Sequence, residues 1–306
     1  MAKILYGAPV REAIKIELIE RVNRLGKELT LVVVQVGDRP DSNLYIKNKI
    51  KFGEEIGAEV VLNKFSEDIS QKELEAKIKE LAKDKKIDGM IVQLPLPSNI
   101  DSEKILNLIP KSKDADGLVS LPKNSAFLFE STDKILPNFS SGPLQSGSQV
   151  SQKEMPSFVT PATARAVMAL LDFYKIEVKN KKIAVIGRSK LAGGPIADEL
   201  QKRGAVIFRC DINTKNIPEI CSKTDILISA TGCAGLITKE FVSEGQVVID
   251  VGTNRSNGKL VGDVVFGEIE PLVSAITPVP GGVGPVTVSC LFQNLLDLCY
   301  NGRRKE

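Results

Sequence analysis

Short apolar runs, each followed by a break and then an amphipathic stretch, recur along this sequence, and that alternation leaves few folds open. Leu31-Val32-Val33-Val34-Gln35-Val36 reads as a buried strand. Gly37-Asp38-Arg39-Pro40 breaks it, and Asp41 or Ser42 is placed to cap a helix running to about Ile56. Gly57 to Leu62 reads as a second strand, Ser70 opens a strongly amphipathic helix to about Lys85, and Asp88 to Pro97 is a third strand. Pro9 to Leu25, ahead of them all, carries apolar side chains at helical spacing. The pattern resumes with a helix over Thr163–Tyr174, a strand over Lys182–Gly187 and a helix to about Arg203. Strands follow at Gly204–Cys210, Asp225–Gly232 and Val247–Asn254, and then an amphipathic helix over Val286–Tyr300. Alternating strands and helices imply an α/β protein with parallel sheets and crossover helices. At 306 residues and 42% apolar content the chain can bury two cores. Residues 120–157 are rich in Ser, Asn, Pro and Gly and read as a long loop. A surface loop is favoured over a mobile flap, because loop length costs little stability.

Composition removes several classes of chemistry. The chain has no histidine, which excludes a histidine general base, a Ser-His-Asp triad and any histidine-ligated metal. Its five cysteines are scattered with no CxxC pair, so reduced thiols, a cytoplasmic setting and no metal site are expected. The net charge of +3 arises from interleaved acids and bases, which is no argument for nucleic acid. No apolar run reaches membrane-spanning length, and Met1–Gly7 lacks the apolar core of a secretion signal.

Proton transfer therefore falls to Lys, Tyr, Asp or Glu. Tyr45 and Lys49 are four apart and share one helix face; burial can bring such a lysine into proton-transfer range. Gln93 stands at the carboxyl end of its strand, where open α/β sheets bind ligands. Leu94-Pro95-Leu96-Pro97 cannot continue a central strand and holds the exit rigid. Asp114 and Asp116 share the next turn. Each has a plainer explanation: a half-exposed Tyr–Lys pair, a strand end satisfied by water, a turn closed by its own carboxylates.

In the second half, Gly187-Arg188-Ser189-Lys190-Leu191-Ala192-Gly193-Gly194-Pro195 joins a strand to a helix. It is not a literal GxGxxG, yet it offers the same physics: a tight turn permitted by glycine, and helix N–H groups facing a phosphate. That makes this half Rossmann-like. Asp211, about 20 residues on, stands where an acid binds the ribose 2′-hydroxyl of NAD and would repel the 2′-phosphate of NADP. Arg188 could serve that phosphate. Asp211 could also simply cap the following turn.

Tyr45-x-x-x-Lys49, Val92-Gln93-Leu94-Pro95, Lys113-Asp114-x-Asp116-Gly117 and Thr277-Pro278-Val279-Pro280-Gly281-Gly282-Val283-Gly284-Pro285-x-Thr287 together resemble the bifunctional methylenetetrahydrofolate dehydrogenase/methenyltetrahydrofolate cyclohydrolase (FolD) family. The resemblance covers nearly the whole chain apart from the middle, where the family has a much shorter connection. It implies two parallel-sheet α/β domains flanking a cleft. Residues 1–157 would bind the folate, residues 158–284 the dinucleotide, and 285–306 would return as a helix to the first domain. The implied reaction, in one-carbon metabolism, is oxidation of 5,10-methylenetetrahydrofolate and hydrolysis of the methenyl product to 10-formyltetrahydrofolate. By the same resemblance Lys49 is the acid/base, held by Gln93 and Tyr45; Tyr45 stacks on the substrate, and Asp116 accepts hydrogen bonds from the pterin. Val92, Leu94 and Pro280, Gly281, Gly282, Val283 and Gly284 complete the folate site. Gly187, Arg188, Ser189, Asp211, Thr231, Gly232, Thr253 and Thr287 face the dinucleotide. The cofactor is NADP by family habit, with Asp211 leaning toward NAD, and a homodimer through the second domain is expected. The chain departs from the family at Val159, where a cysteine is usual. Two other readings stay open: a different Rossmann dehydrogenase acting on a small carbonyl or amino acid, and a catalytically silent nucleotide-binding module.

Overall fold

The computed structural model describes residues 1–119, 159–256 and 258–303; the loop expected over 120–157 lies outside the described residues. Three parallel strands, β2 (Leu29–Val36), β3 (Ala58–Phe65) and β4 (Gly89–Val92), form one sheet in the order β3-β2-β4. Leu31 stands opposite Val60 on one side and Gly89 on the other. Central β2 is an apolar run because both of its faces are covered: Leu31, Val32, Val33 and Val34 are all buried.

The helices follow the sequence signals, with one shift that matters. Helix α1 spans Gly7–Asn23, and α3 spans Gln71–Lys83. Ser70 caps α3 by accepting the Glu73 N–H, while Glu73 accepts the Ser70 N–H. Such a reciprocal cap contributes about 1 kcal/mol. Helix α2 spans Pro40–Ile56, and its N-cap position falls on Arg39, with no side-chain cap bond, rather than on Asp41 or Ser42 as expected. Pro40 takes the first helical position, which suits its fixed φ. Asp41 thereby falls in the first turn and forms an ion pair with Arg255. A short helix, α4 (Ser102–Leu106), is capped by Asp101, whose side chain accepts the Lys104 N–H.

Past the undescribed segment, α5 (Ala162–Phe173), β5 (Lys182–Ile186), α6 (Gly193–Lys202), β6 (Val206–Cys210), α7 (Ile217–Ser222), β7 (Ile226–Ser229) and β8 (Val247–Asp250) alternate. The run expected as one strand over Val247–Asn254 stops at Asp250. Asn254–Ser256 (β9) instead pairs antiparallel with Lys259–Val261 (β10). Helix α8 (Phe266–Ile269) and strand β11 (Ala275–Ile276) lead to α9 (Val283–Arg303). The second sheet is six-stranded and parallel, in the order β1-β11-β8-β7-β5-β6. Its edge strand β1 is Lys3–Ile4, paired with Ala275 and Ile276 from almost the other end of the sequence.

Helix α9 packs against α1, α2, α5 and β4. Phe292 is fully buried, with its ring centroid 5.4 Å from that of Phe52 on α2. Leu295 and Leu296 are also fully buried, and each such side chain contributes roughly 1.5–3 kcal/mol. No helix among the described residues is long and apolar enough to cross a membrane.

Candidate active site

Tyr45 and Lys49 lie one turn apart on α2, facing the carboxyl end of β4. The Lys49 Nζ donates to Gln93 Oε1 at 2.7 Å, and the Gln93 Nε2 donates to the Leu94 carbonyl at 2.9 Å. The second bond turns the amide oxygen toward the lysine. Strand β4 ends one residue earlier, and the Leu94–Pro95 peptide that follows is cis. Burial pushes the Lys49 ammonium below its usual range, and the charge of Asp116 acts against that shift. Burial likewise pushes the Asp116 carboxyl up, opposed by Lys49. These groups thus bias each other's protonation, an arrangement in which a lysine can both take and return a proton.

The turn carrying Asp116 is fastened from two sides. Asp114 accepts the Gly117 N–H at 3.0 Å and the Val119 N–H at 2.7 Å, so it serves the turn itself, and burial raises its pKa to about 6. Fully buried Asn294 on α9 donates to the carbonyls of Ala115 (2.9 Å) and Thr160 (2.8 Å), while its oxygen accepts from Arg165 at 2.8 Å. Helix α9 therefore ties the Asp116 turn to the start of α5.

These residues share one cleft between the sheets. A hollow of about 230 Å³ is lined by Tyr45, Lys49, Gln93 and Asp116 from one side and by Thr253, Val283, Gly284 and Thr287 from the other. Val92 and Leu94 line an adjoining hollow with Lys49 and Asp116. A larger one, about 420 Å³, continues past Tyr45 beneath Pro280, Gly281 and Gly282. Its wall also includes Arg11, Leu44 and Leu260, none of which sequence reasoning singled out. Their only signal is proximity to elements that lie far apart in the chain.

The remaining expected residues gather at the carboxyl ends of β5, β6 and β7. Gly187 has φ +101°, and a Cβ there would lie 2.3 Å from the Ala230 carbonyl oxygen; one on Gly193 would lie 1.9 Å from that of Gly187. Only glycine permits this approach of the strand–helix turn. Arg188 Nη1 donates to Asp211 Oδ2 at 2.5 Å, while Asp211 Oδ1 accepts the Asn213 N–H at 2.9 Å. The guanidinium holds the Asp211 carboxyl below its usual range. Asp211 thus caps its turn and also meets Arg188. Ser189 Oγ accepts the Ala192 N–H just ahead of α6. Thr231 and Gly232 leave β7 next to this turn. Strand β5 lies between β6 and β7, so the chain reverses direction across the sheet at β5, the place where open sheets hold dinucleotides. A glycine turn, a following helix N-terminus and an acid ending the neighbouring strand fit such a ligand.

Residues 5–116 match the family model for the tetrahydrofolate dehydrogenase/cyclohydrolase catalytic domain, and residues 161–302 match that for the family's NAD(P)-binding domain. The bifunctional protein FolD 2 of Lactobacillus johnsonii is 38% identical over 301 residues, which is 97% of this chain and 98% of that protein. The crystal structure of the bifunctional enzyme FolD from Campylobacter jejuni superposes with a TM-score of 0.84 at 37% identity, covering 99% of this chain and 100% of that one. The methylenetetrahydrofolate dehydrogenase-cyclohydrolase of Trypanosoma brucei, solved with NADP cofactor and an inhibitor, gives 0.84 at 33% identity, with 99% of both chains covered.

Proposed function

This chain belongs to the tetrahydrofolate dehydrogenase/cyclohydrolase family, and we propose that it oxidises 5,10-methylenetetrahydrofolate to the methenyl form and hydrolyses that to 10-formyltetrahydrofolate. The observation carrying this reading is the Lys49–Gln93 contact, set in a cleft that also holds Tyr45, Asp116 and Thr253. Both steps act on one carbon, so a single cleft serves them by proximity. The bound dinucleotide supplies the hydride acceptor.

Tyr45 stacks on the substrate, and Asp116 accepts hydrogen bonds from the pterin. A cationic methenyl group close by adds to the effect of burial and favours neutral Lys49. The neutral amine takes a proton from water as its oxygen bonds to the methenyl carbon. The ammonium then returns that proton to the ring nitrogen as the carbon–nitrogen bond breaks, and the hydroxyl proton passes to solvent as the formyl C=O forms. Gln93 Oε1 accepts from Lys49 throughout and keeps its lone pair aimed at the water. The Pro280–Gly284 backbone closes over the site.

At the far end, the Arg188–Asp211 pair supports acceptance of NAD. The carboxylate offers an acceptor to a 2′-hydroxyl and would repel a 2′-phosphate, and it already engages the Arg188 guanidinium. The chain is read as a homodimer associating through the second sheet. Edge strand β6, with exposed Val206 and Phe208, supports that reading.

An anaerobic assay with methylenetetrahydrofolate and either NAD or NADP tests the activity, following reduced nicotinamide and methenyl absorbance. Reduction without methenyl build-up is expected. Lys49→Ala should abolish hydrolysis while folate binding persists; full hydrolysis in that variant would end the Lys49 assignment. No reduction and no folate binding would favour a dehydrogenase of another small carbonyl or amino acid.

A further inference from the structure

Two fully or almost fully buried carboxylates, Asp250 at the end of β8 and Asp263 after β10, lie outside the groups assigned so far. Asp263 Oδ2 accepts from Ser229 Oγ (2.8 Å), from the Thr231 N–H (2.8 Å) and from the Gly232 N–H (3.3 Å). Its Oδ1 accepts from Asn254 Nδ2 at 3.0 Å. One carboxylate thus holds the exit of β7 and the exit of β8. Asp250 supports it from behind: Oδ1 accepts the N–H of Asp263 (3.1 Å) and of Gly252 (2.9 Å), and Oδ2 accepts that of Val264 (2.9 Å). The contacts are close enough to dictate sequence. A Cβ on Gly252 would lie 2.0 Å from Asp263 Oδ1, and one on Gly262 would lie 1.9 Å from Asp250 Oδ2.

These exits carry Thr231, Gly232 and Thr253, and Thr253 faces Lys49 across the cleft. We propose that Asp263 is the positioning residue of the dehydrogenase half. It fixes the spacing between the β7 and β8 exits, and hence the seat of the dinucleotide's nicotinamide end, without touching the ligand. The proposal rests on the dinucleotide reading above. Four donors converge on one buried carboxylate. An amide of the same shape turns an N–H toward some of them and leaves polar groups unpaired, a cost buried sites do not absorb. Hydrolysis of the methenyl substrate uses Lys49, Gln93 and Asp116, which are held by α2, β4 and α9 instead.

The test compares wild type, Asp263→Asn, Ser229→Ala and Asn254→Ala. Calorimetry reads binding of NAD and of NADP, amide hydrogen exchange reads Thr231 and Gly232 without ligand, and methenyl hydrolysis is assayed separately. Asp263→Asn is expected to weaken dinucleotide binding at least tenfold and to speed exchange at both amides, with hydrolysis kept within about twofold. Ser229→Ala and Asn254→Ala, which each remove one donor and leave the carboxylate, should weaken binding several-fold. Dinucleotide binding within twofold of wild type in a folded Asp263→Asn protein would overturn the proposal, as would parallel loss of hydrolysis and binding. If Asp263→Asn does not fold, unchanged binding in both single-donor variants overturns it. Wild type that binds neither dinucleotide would instead overturn the functional reading on which the proposal stands.

Discussion

Replacing Asp211 by asparagine should shift cofactor choice toward NADP, and the size of the shift follows from the site. The side chain is about one-fifth exposed, sits 2.5 Å from Arg188 and ends the strand next to the glycine turn. A 2′-phosphate held there carries a charge of roughly −1.5 to −2. At a separation of about 6 Å and an effective dielectric of about 40, each unit of like charge costs about 1.4 kcal/mol. Partial screening by salt brings the total to roughly 1.5–2.5 kcal/mol, a factor of about ten to seventy. Asparagine keeps an oxygen for the Asn213 N–H, so the turn retains its cap, while the charge and the ion pair with Arg188 are lost. The assay is kcat/KM for NAD and for NADP at fixed ionic strength, with methylenetetrahydrofolate saturating. The NADP:NAD ratio should rise by that factor, and the gap between variant and wild type should narrow as ionic strength is raised, because salt screens the repulsion. A ratio unchanged within twofold, in a variant that melts like wild type, would refute the argument and leave Asp211 as a turn cap alone.

Three further outcomes follow from buried groups. Asp116→Asn removes the charge that opposes burial at Lys49, so the acid limb of the hydrolysis rate at saturating substrate should move to lower pH; a limb that stays or moves up would contradict the coupling. Asp114 has its pKa raised to about 6 in the folded protein from an ordinary 3.8. Its folded form holds the proton more tightly, so its contribution to stability is present below the ordinary value and is lost as pH rises through about 6. Wild type should lose up to about 3 kcal/mol between pH 4 and 7 relative to Asp114→Asn, and parallel urea-denaturation curves for the two across that range would dismiss this. Phe292→Ala should cost about 3–5 kcal/mol, because the ring is fully buried against Phe52; a loss below 1 kcal/mol in the same experiment would show that α9 is not central to the core.

What the sequence made legible was local. Leu31–Val36 reads as a central strand because both its faces are covered, and Ser70 with Glu73 announces a helix start. Tyr45 and Lys49 share a face by helical spacing alone, and Gln93 is placed by the prolines after it. The glycine turn at Gly187 is likewise visible, since no other residue takes that φ without strain. What stayed hidden was contact at long range. Asn294 holds the Asp116 turn from far down the chain, and its only local mark is a polar residue at a buried helical position. Asp263, a single acid between Gly262 and Val264, gives no sign that four donors meet it. The pairing of Lys3–Ile4 with β11 depends on where the whole chain ends up, and a strand of two residues has no periodicity to read. Asp41 misled because a proline next to it took the first helical position and moved the cap back to Arg39.

That short first strand has a consequence for how the molecule is made. Lys3 and Ile4 come before the first sheet in the chain, yet they pair with Ala275 and Ile276 in the second. Helix α9 follows them and goes back to cover β4 and α2. Each sheet is therefore completed by an element that lies beyond the other sheet in the chain. Neither half completes its packing without residues from beyond the other. Exchange of halves between relatives would need both ends to be carried across together, like a knot that must be tied with both cords.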